Sequence, residues 1–217
     1  WFLKRWKDIS KRISCTWRLN EGSNNMLKLE ELKSILKASL PLKRYKHSIA
    51  VYETALELAS VHKLDVQKVA VAALLHDCGR EIPSRDSLAK AAELGIEVDR
   101  VEANQPILLH AKLGVFFARK KYGVEDQEIL DGILYHTTGA PHMTPLAMAV
   151  YLADLLEPTR DFPGIDDMRK LAKEDMEKAM LKAYGNTIRY LLEYDLLIHP
   201  NCIHGYNQLV AKFKRKK

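Results

Sequence analysis

Cysteine is scarce in this chain of 217 residues, with Cys15, Cys78 and Cys202 as the whole supply. Three scattered thiols make neither a disulfide framework nor a cysteine metal cage, and they fit a reducing cytoplasm. Long apolar runs are missing too. No stretch approaches the roughly 18 residues that span a bilayer, so no transmembrane protein is expected. The first residues mix Trp, Phe and Lys without an apolar segment and small-residue cleavage site, so no secretory signal is expected. Sustained alternation of apolar and polar residues is absent, which argues against strands, and no repeat or Gly/Ser-rich linker divides the chain. The length allows one sizeable core.

What is present is a net charge of +6, and its distribution matters more than its size. Residues 1–25 hold six Lys/Arg against Asp8 and Glu21, and the tail 212–217 holds five basic residues and no acid. The body, residues 26–211, is therefore slightly acidic, and the basicity belongs to the ends. A basic tail of this kind reads as a solvated end, so nucleic acid is not the expected partner. Trp1, Phe2, Trp6, Ile9 and Ile13 fit one face of a basic amphipathic helix. Alternatively, Glu21-Gly22-Ser23 back-translates to a purine-rich stretch resembling a ribosome-binding site, which would make Met26 the natural start and leave residues 1–25 as an upstream extension.

Helical spacing recurs and predicts an all-α chain. Leu29, Leu32, Leu36 and Leu40 mark a first helix closed by Pro41, and Ile49, Val51, Leu56 and Ala59 a second. A third runs from Asp65 to near Gly79. A short helix follows Pro83-Ser84 through Leu94, then a loop from Gly95 to about Asn104. Helices over Leu108–Tyr122 and Glu125–His136 precede a break at Thr137–Pro141. Thr144-Pro145 starts a helix through Leu156. After Phe162-Pro163-Gly164, a short helix and a long one from Asp175 to about Leu197 complete the expected set.

The third helix carries the chemistry. Seven apolar residues, Val69–Leu75, run directly into His76 and Asp77. A carboxylate ending a buried segment is costly unless a cation compensates it, and a metal ion does so most completely. The pair alone suits a solvated helix end equally well. Further ligand types stand at apolar helical positions: His47 in the second helix, His110 after Leu108-Leu109, His136 before Thr137-Thr138-Gly139, and Asp154 within Tyr151–Leu156. His62, His142 and His204 read as surface histidines.

The order His, His-Asp, His, His, Asp resembles the ligand pattern of the HD-domain metal-dependent phosphohydrolases. The segments Arg44–His47, Leu74–Arg80, Tyr135–Gly139, Leu152–Asp154 and Glu157–Gly164 look more closely like the YqeK-type bacterial symmetrical diadenosine tetraphosphate hydrolases. The likeness covers about Met26–His204. It implies a single helical bundle over 26–211 with a metal site between core helices, flanked by the extension 1–25 and the tail 212–217. It implies that His47, His76, Asp77 and Asp154 bind one or two ions, iron in this family, with manganese or cobalt also suited to the donor set. It places His110, His136 and Arg80 on the phosphates, and Arg44, Arg160, Asp161 and the segment Leu197-Ile198-His199-Pro200-Asn201-Cys202 on the nucleotide. Arg80 stands where the family usually has Lys, which keeps the sign but allows bidentate contact. Its spacing from His76 predicts a shared helix face, as does that of Arg44 from His47.

The implied activity is cytoplasmic hydrolysis of diadenosine tetraphosphate at its central bond to two ADP, with Asp77 or a nearby His handling the proton. No membrane partner is implied, and a homodimer is left open. Competing readings keep the site for another nucleotide, or make the chain a nucleotide- or RNA-binding regulator with a structural metal. The lack of a Gly-Tyr-Pro segment argues against the cyclic-dinucleotide branch.

Overall fold

The computed structural model describes residues 25–215, among which every regular element is helical. The expectations for Trp1, Phe2, Trp6, Ile9 and Ile13 lie outside the described residues. Helix α1 (Asn25–Ser39) leads over Pro41 into α2 (Leu42–His62), which ends where Lys63 turns left-handed. Asp65 then starts α3 (Val66–Leu75) by accepting the backbone N–H groups of Gln67 and Lys68, both at 3.0 Å, an N-cap that stabilises a helix by about 1 kcal/mol. The chain continues through α4 (Ser87–Glu93), α5 (Arg100–Asn104), α6 (His110–Tyr122), α7 (Gln127–Tyr135), α8 (Pro145–Leu156), α9 (Ile165–Glu174), α10 (Met176–Glu193) and α11 (Pro200–Lys214).

Two helices are apolar nearly all round and are accordingly buried. In α3, Val69, Ala70 and Ala72–Leu75 lie in the interior, and in α8 every residue from Leu146 to Ala153 does. Helix α8 divides its faces between two core clusters. Leu146, Val150 and Ala153 join Leu36, Val51, Leu74, Leu75, Leu113 and Ile133, while Met148, Tyr151 and Leu152 join Met168, Met180, Tyr184 and Leu209. Each fully buried Leu or Met contributes about 1.5–3 kcal/mol of apolar transfer. Thr144, as expected, caps α8 by accepting the Ala147 N–H at 3.1 Å. Cys78 and Cys202 are buried free thiols, and burial pushes both upward, Cys202 to about 11. No described helix is long and apolar enough to cross a membrane.

The structure corrects four details of the expected helices. The stretch expected as a loop to Asn104 contains α5, because Asp99 accepts the Val101 and Glu102 N–H groups while Glu102 accepts the Asp99 N–H, a capping box. Helix α3 stops at Leu75 rather than near Gly79, and Cys78–Glu81 form a separate 3-10 turn. Helix α10 ends at Glu193, short of Leu197. A final helix, α11, was not expected; His199 and Pro200 start it, the imidazole accepting the Asn201 N–H at 3.2 Å.

Candidate metal centre

Helices α3 and α7 end at the centre, and α6 begins there. Each places a histidine whose Nδ1 meets the carbonyl three residues earlier: His76 on Ala73 at 2.7 Å, His110 on Ile107 at 2.5 Å and His136 on Ile133 at 2.7 Å. A carbonyl only accepts, so each Nδ1 carries the proton and each Nε2 presents a lone pair. His47, on α2, is held differently. Its Nδ1 lies 3.3 Å from Glu157 Oε1, again leaving Nε2 as the free nitrogen.

Asp77 sits between these rings in the turn after α3, at φ −103° and ψ 12°, a sparsely populated backbone region. Its Oδ2 is 3.6 Å from His76 Nε2 and 4.0 Å from His47 Nε2, and its Oδ1 is 3.3 Å from His110 Nε2 and 3.7 Å from His136 Nε2. Arg44 Nη1 donates to Oδ2 at 2.8 Å and Arg80 Nε to Oδ1 at 2.9 Å. Asp154, near the end of α8, brings Oδ1 within 3.0 Å of His47 Nε2. Arg160 donates to the same oxygen at 2.7 Å and to the Asp154 carbonyl at 2.9 Å.

Burial opposes ionisation of Asp77, but His76, His136 and His110 outweigh it and hold the carboxyl well below the usual range. Asp154 is likewise held low, the close approach of His47 overcoming burial. Burial pushes His76 down to about 4 and His110 down to about 3, which keeps these two imidazoles neutral. Neutral imidazoles facing ionised carboxylates are the donor set a cation needs.

The fit to a cation rests on two atoms. Nε2 of His47 and Nε2 of His76 are buried without a hydrogen-bond partner, although Asp154 lies close to the first. Orphaned buried polar nitrogens are rare and costly unless something else coordinates them. His47, His76 and Asp154 offer ligand atoms within 4.8 Å of one another, as do His76, Asp77 and His136. By contrast, Nε2 of His110 and of His136 lie 2.9 Å apart with Thr137 Oγ1 at 3.1 and 3.0 Å.

Local packing explains why the sequence folds this way. A Cβ on Gly79 would stand 2.1 Å from the His110 carbonyl oxygen and 2.6 Å from the Gly114 nitrogen, so only glycine lets the Asp77 turn lie against α6. Gly139, at φ +63°, occupies space under the Tyr184 hydroxyl, which also bonds the Ala140 backbone. That contact secures the chain following His136. The loop after α8 is fastened by Arg169, which donates to the carbonyls of Leu156, Glu157 and Arg160 at 3.0, 3.1 and 3.2 Å.

Of the residues singled out from sequence, Arg44, His47, His76, Asp77, Arg80, His110, His136, Asp154 and Arg160 converge here. The reason given for Arg80 is corrected: α3 has ended, so Arg80 reaches Asp77 from the 3-10 turn and not from a helix face shared with His76. Asp161 is exposed, Cys202 packs into the second core cluster, and His199 bonds Asp99. Sequence reasoning assigned no role to Glu157, which is 1% exposed, takes both the N–H and the hydroxyl of Thr159, and holds His47. Its signal was a lone acid directly after Leu155-Leu156. Thr137 and Arg169 were also passed over.

A buried His-Asp pair in a helical bundle, joined by two imidazoles, a further histidine and an aspartate from other helices, defines the metal-dependent hydrolases of the HD type. The HD domain family model matches residues 44–159. The chain belongs to the HD-domain family, which implies a divalent metal, and the cluster above could hold one. It is 36% identical over 182 residues to a Bacillus subtilis protein named bis(5′-nucleosyl)-tetraphosphatase, symmetrical, covering 84% of this chain and 97% of that one. A Halalkalibacterium halodurans protein of the same name is 36% identical over 180 residues, 83% of this chain and 96% of the relative. A Clostridium acetobutylicum crystal structure, described as a predicted HD superfamily hydrolase involved in NAD metabolism, superposes with a TM-score of 0.80 at 36% identity over 84% of this chain and 97% of its own.

Proposed function

We propose that this chain hydrolyses diadenosine tetraphosphate symmetrically, adding water across the bond between the second and third phosphates to release two ADP. Relatives matched over 97% and 96% of their own length carry that activity in their names. The observation that carries the metal-dependent chemistry is the pair of orphaned Nε2 atoms on His47 and His76 beside Asp77 and Asp154. These four side chains are the metal ligands in this reading, and iron is the ion, with manganese or cobalt accepted by the same nitrogen and carboxylate donors. His110 and His136 are left for the substrate in this reading: their Nε2 lone pairs lie 2.9 Å apart, and the single Thr137 hydroxyl between them can donate to only one.

When bound, a divalent ion supplies Lewis-acid polarisation of a phosphate oxygen and acidifies water. The protein's own groups do the rest. Asp77 lies within 4 Å of four imidazoles, and its ionised carboxylate is placed to take a proton. Arg44 and Arg80 donate to Asp77 and lie partly exposed, so both can turn an N–H to phosphate oxygens. Arg80, with His110 and His136, faces the charge that develops on the transferred phosphoryl group and on departing ADP. Arg160, side chain 43% exposed, and the residues Leu197 to Asn201 serve the nucleoside, while Cys202 is buried in the second core cluster. The substrate is a small nucleotide in the cytoplasm, with no membrane or nucleic-acid partner.

The test is product identity. Purified protein reconstituted with ferrous iron or manganese is incubated with diadenosine tetraphosphate, and nucleotides are separated by ion-exchange chromatography. ADP as the only product is expected, lost in Asp77→Asn. ATP plus AMP, or an untouched substrate alongside turnover of another nucleotide, overturns the reading.

A further inference from the structure

The segment joining α10 to α11 runs from the second core cluster, where Ile198 packs, to Asp99 at the start of α5. Its starting point follows from how α10 packs on α8. Tyr151 hydrogen-bonds Thr187 and its ring lies 5.8 Å from that of Tyr184, while Met148, Met180 and Tyr184 line one small cavity. The two helices therefore run side by side in the same direction. One turn beyond Tyr151 is Asp154 and one turn beyond Thr187 is Leu191, so α10 ends level with Asp154.

There the chain reverses. The Leu196 N–H donates to the Leu191 carbonyl at 2.8 Å and the Asp195 N–H to Leu192 at 3.3 Å, with Asp195 left-handed at φ 52°. This is a Schellman turn with aspartate in the place glycine usually takes. Ile198 packs against the second core cluster, and Leu196 and Leu197 stay exposed. Then His199 Nε2 meets Asp99 Oδ2 at 2.8 Å. Asp99 begins α5, which packs on the Pro106–Leu109 turn that delivers His110. Lys112 of α6 fixes this side as well, donating to Glu102 Oε2 at 2.6 Å and to the Glu97 carbonyl at 2.9 Å.

Asp99, Glu102 and His199 lie close enough to resemble a second cation site, but their ligand atoms are committed. Asp99 Oδ1 accepts two backbone N–H groups, Glu102 Oε2 accepts the Asp99 N–H and the Lys112 ammonium, and His199 Nδ1 accepts the Asn201 N–H. With Nδ1 an acceptor, His199 Nε2 carries the proton and donates it to Asp99. The cluster is a joint between two helix starts.

We propose that Asp99 is a positioning residue: its hydrogen bond to His199 latches the strap Asp195–His199 across the mouth of the metal centre and sets how firmly the nucleoside end of the substrate is held. The role in substrate binding rests on the function proposed above, and the latch itself does not. Asp99→Asn separates latch from cap. Asparagine is as good an N-cap as aspartate, and with its oxygen on the Val101 and Glu102 N–H groups its amide NH2 faces the His199 N–H, donor against donor. His199 cannot switch tautomer without turning an N–H on Asn201.

In the holoenzyme, D99N is expected to exchange the backbone amides of Leu196–His199 about fivefold faster than wild type, the loss of one modest hydrogen bond. The KM for diadenosine tetraphosphate is expected to rise about fivefold with kcat within twofold, while D99A additionally lowers Tm through the lost cap. Wild-type exchange in D99N overturns the latch whatever the kinetics. Faster exchange with an unchanged KM overturns its role in holding substrate. If the wild-type enzyme leaves the dinucleotide intact, the function proposed above fails, and the exchange measurement still decides the latch.

Discussion

Replacing Glu157 by Gln tests the centre at a residue that is no metal ligand. Glu157 Oε2 accepts the Thr159 N–H at 2.7 Å, and Oε1 faces the Thr159 hydroxyl at 2.5 Å and His47 Nδ1 at 3.3 Å. Both oxygens are therefore acceptors for fixed donors. A glutamine amide can satisfy only one side. If its oxygen takes the Thr159 N–H, its NH2 confronts the His47 Nδ1–H; if it turns over, the NH2 confronts the Thr159 N–H and the loop shifts. In the first arrangement His47 is relieved by moving its proton to Nε2, the nitrogen that presents a lone pair to the ion in the function proposed above. Losing an outer carboxylate of this kind costs about 10- to 100-fold in metal affinity, equivalent to about 1.4–2.7 kcal/mol. Calorimetric titration of manganese into metal-stripped E157Q and wild type reads the effect directly, and activity should recover at saturating metal. Wild-type affinity in E157Q would show that His47 needs no partner on Nδ1 and would remove the argument for its tautomer.

Three further outcomes are expected. His76, fully buried, is pushed down from 6.5 to about 4 by burial; the unfolded chain therefore takes up a proton that the folded chain refuses, and stability falls as pH drops through this window. His110, pushed down to about 3, adds a similar amount, so urea unfolding of the metal-stripped protein should give a free energy lower by about 4 kcal/mol at about pH 5 than at about pH 7, and equal or greater stability at the lower pH refutes it. Gly79→Ala sets a Cβ against backbone atoms of His110 and Gly114 and should cost about 3 kcal/mol by denaturant unfolding; a loss under about 1 kcal/mol would mean α6 moves freely. Adding manganese at about 100 times its Kd to the stripped protein should stabilise it by about 2.7 kcal/mol, a gain seen as a Tm rise and abolished in His47→Ala.

The fold class was legible because α3 and α8 carry the pattern of buried helices, and because Asp65 and Thr144 are strong start signals whose caps form. The capping box at Asp99 and Glu102 was equally written in the chain, but α5 is short and its apolar content too low for periodicity to register. Helix α11 was obscured because its start signal, His199-Pro200, uses a histidine as cap, which is not among the preferred residues. At the site, the ligand types were readable at His47, His76, Asp77 and Asp154 because charged or ionisable groups interrupt apolar context. Glu157 and Arg169 were not, since their work is done through Nδ1 of His47 and through three carbonyls, partners that exist only after the chain has closed on itself.

The backbone adds an electrostatic argument that side-chain identity alone does not supply. Helices α3 and α7 end at Leu75 and Tyr135, and His76 and His136 stand on their last turns as C-caps. Helix α8 ends at Leu156, two residues after Asp154. Three carboxyl-terminal helix ends thus converge on one small volume, each carrying a partial charge of about −0.5. Together with Asp77 and Asp154, held ionised, they build a strongly negative pocket in which burial holds His76 and His110 neutral. Such a pocket repels a polyphosphate. Arg44, Arg80 and Arg160 reduce the repulsion, but in this structure their guanidinium groups are committed to Asp77 and Asp154. In the function proposed above, His47, His76, Asp77 and Asp154 would hold a divalent cation that supplies positive charge where the phosphates must enter, and Arg44, Arg80 and Arg160 could then turn outward. A bound metal would then favour binding of the anionic substrate. In equilibrium dialysis, ADP should therefore bind the metal-stripped protein at least about tenfold more weakly than the loaded protein, and equal affinities would refute this account of the pocket.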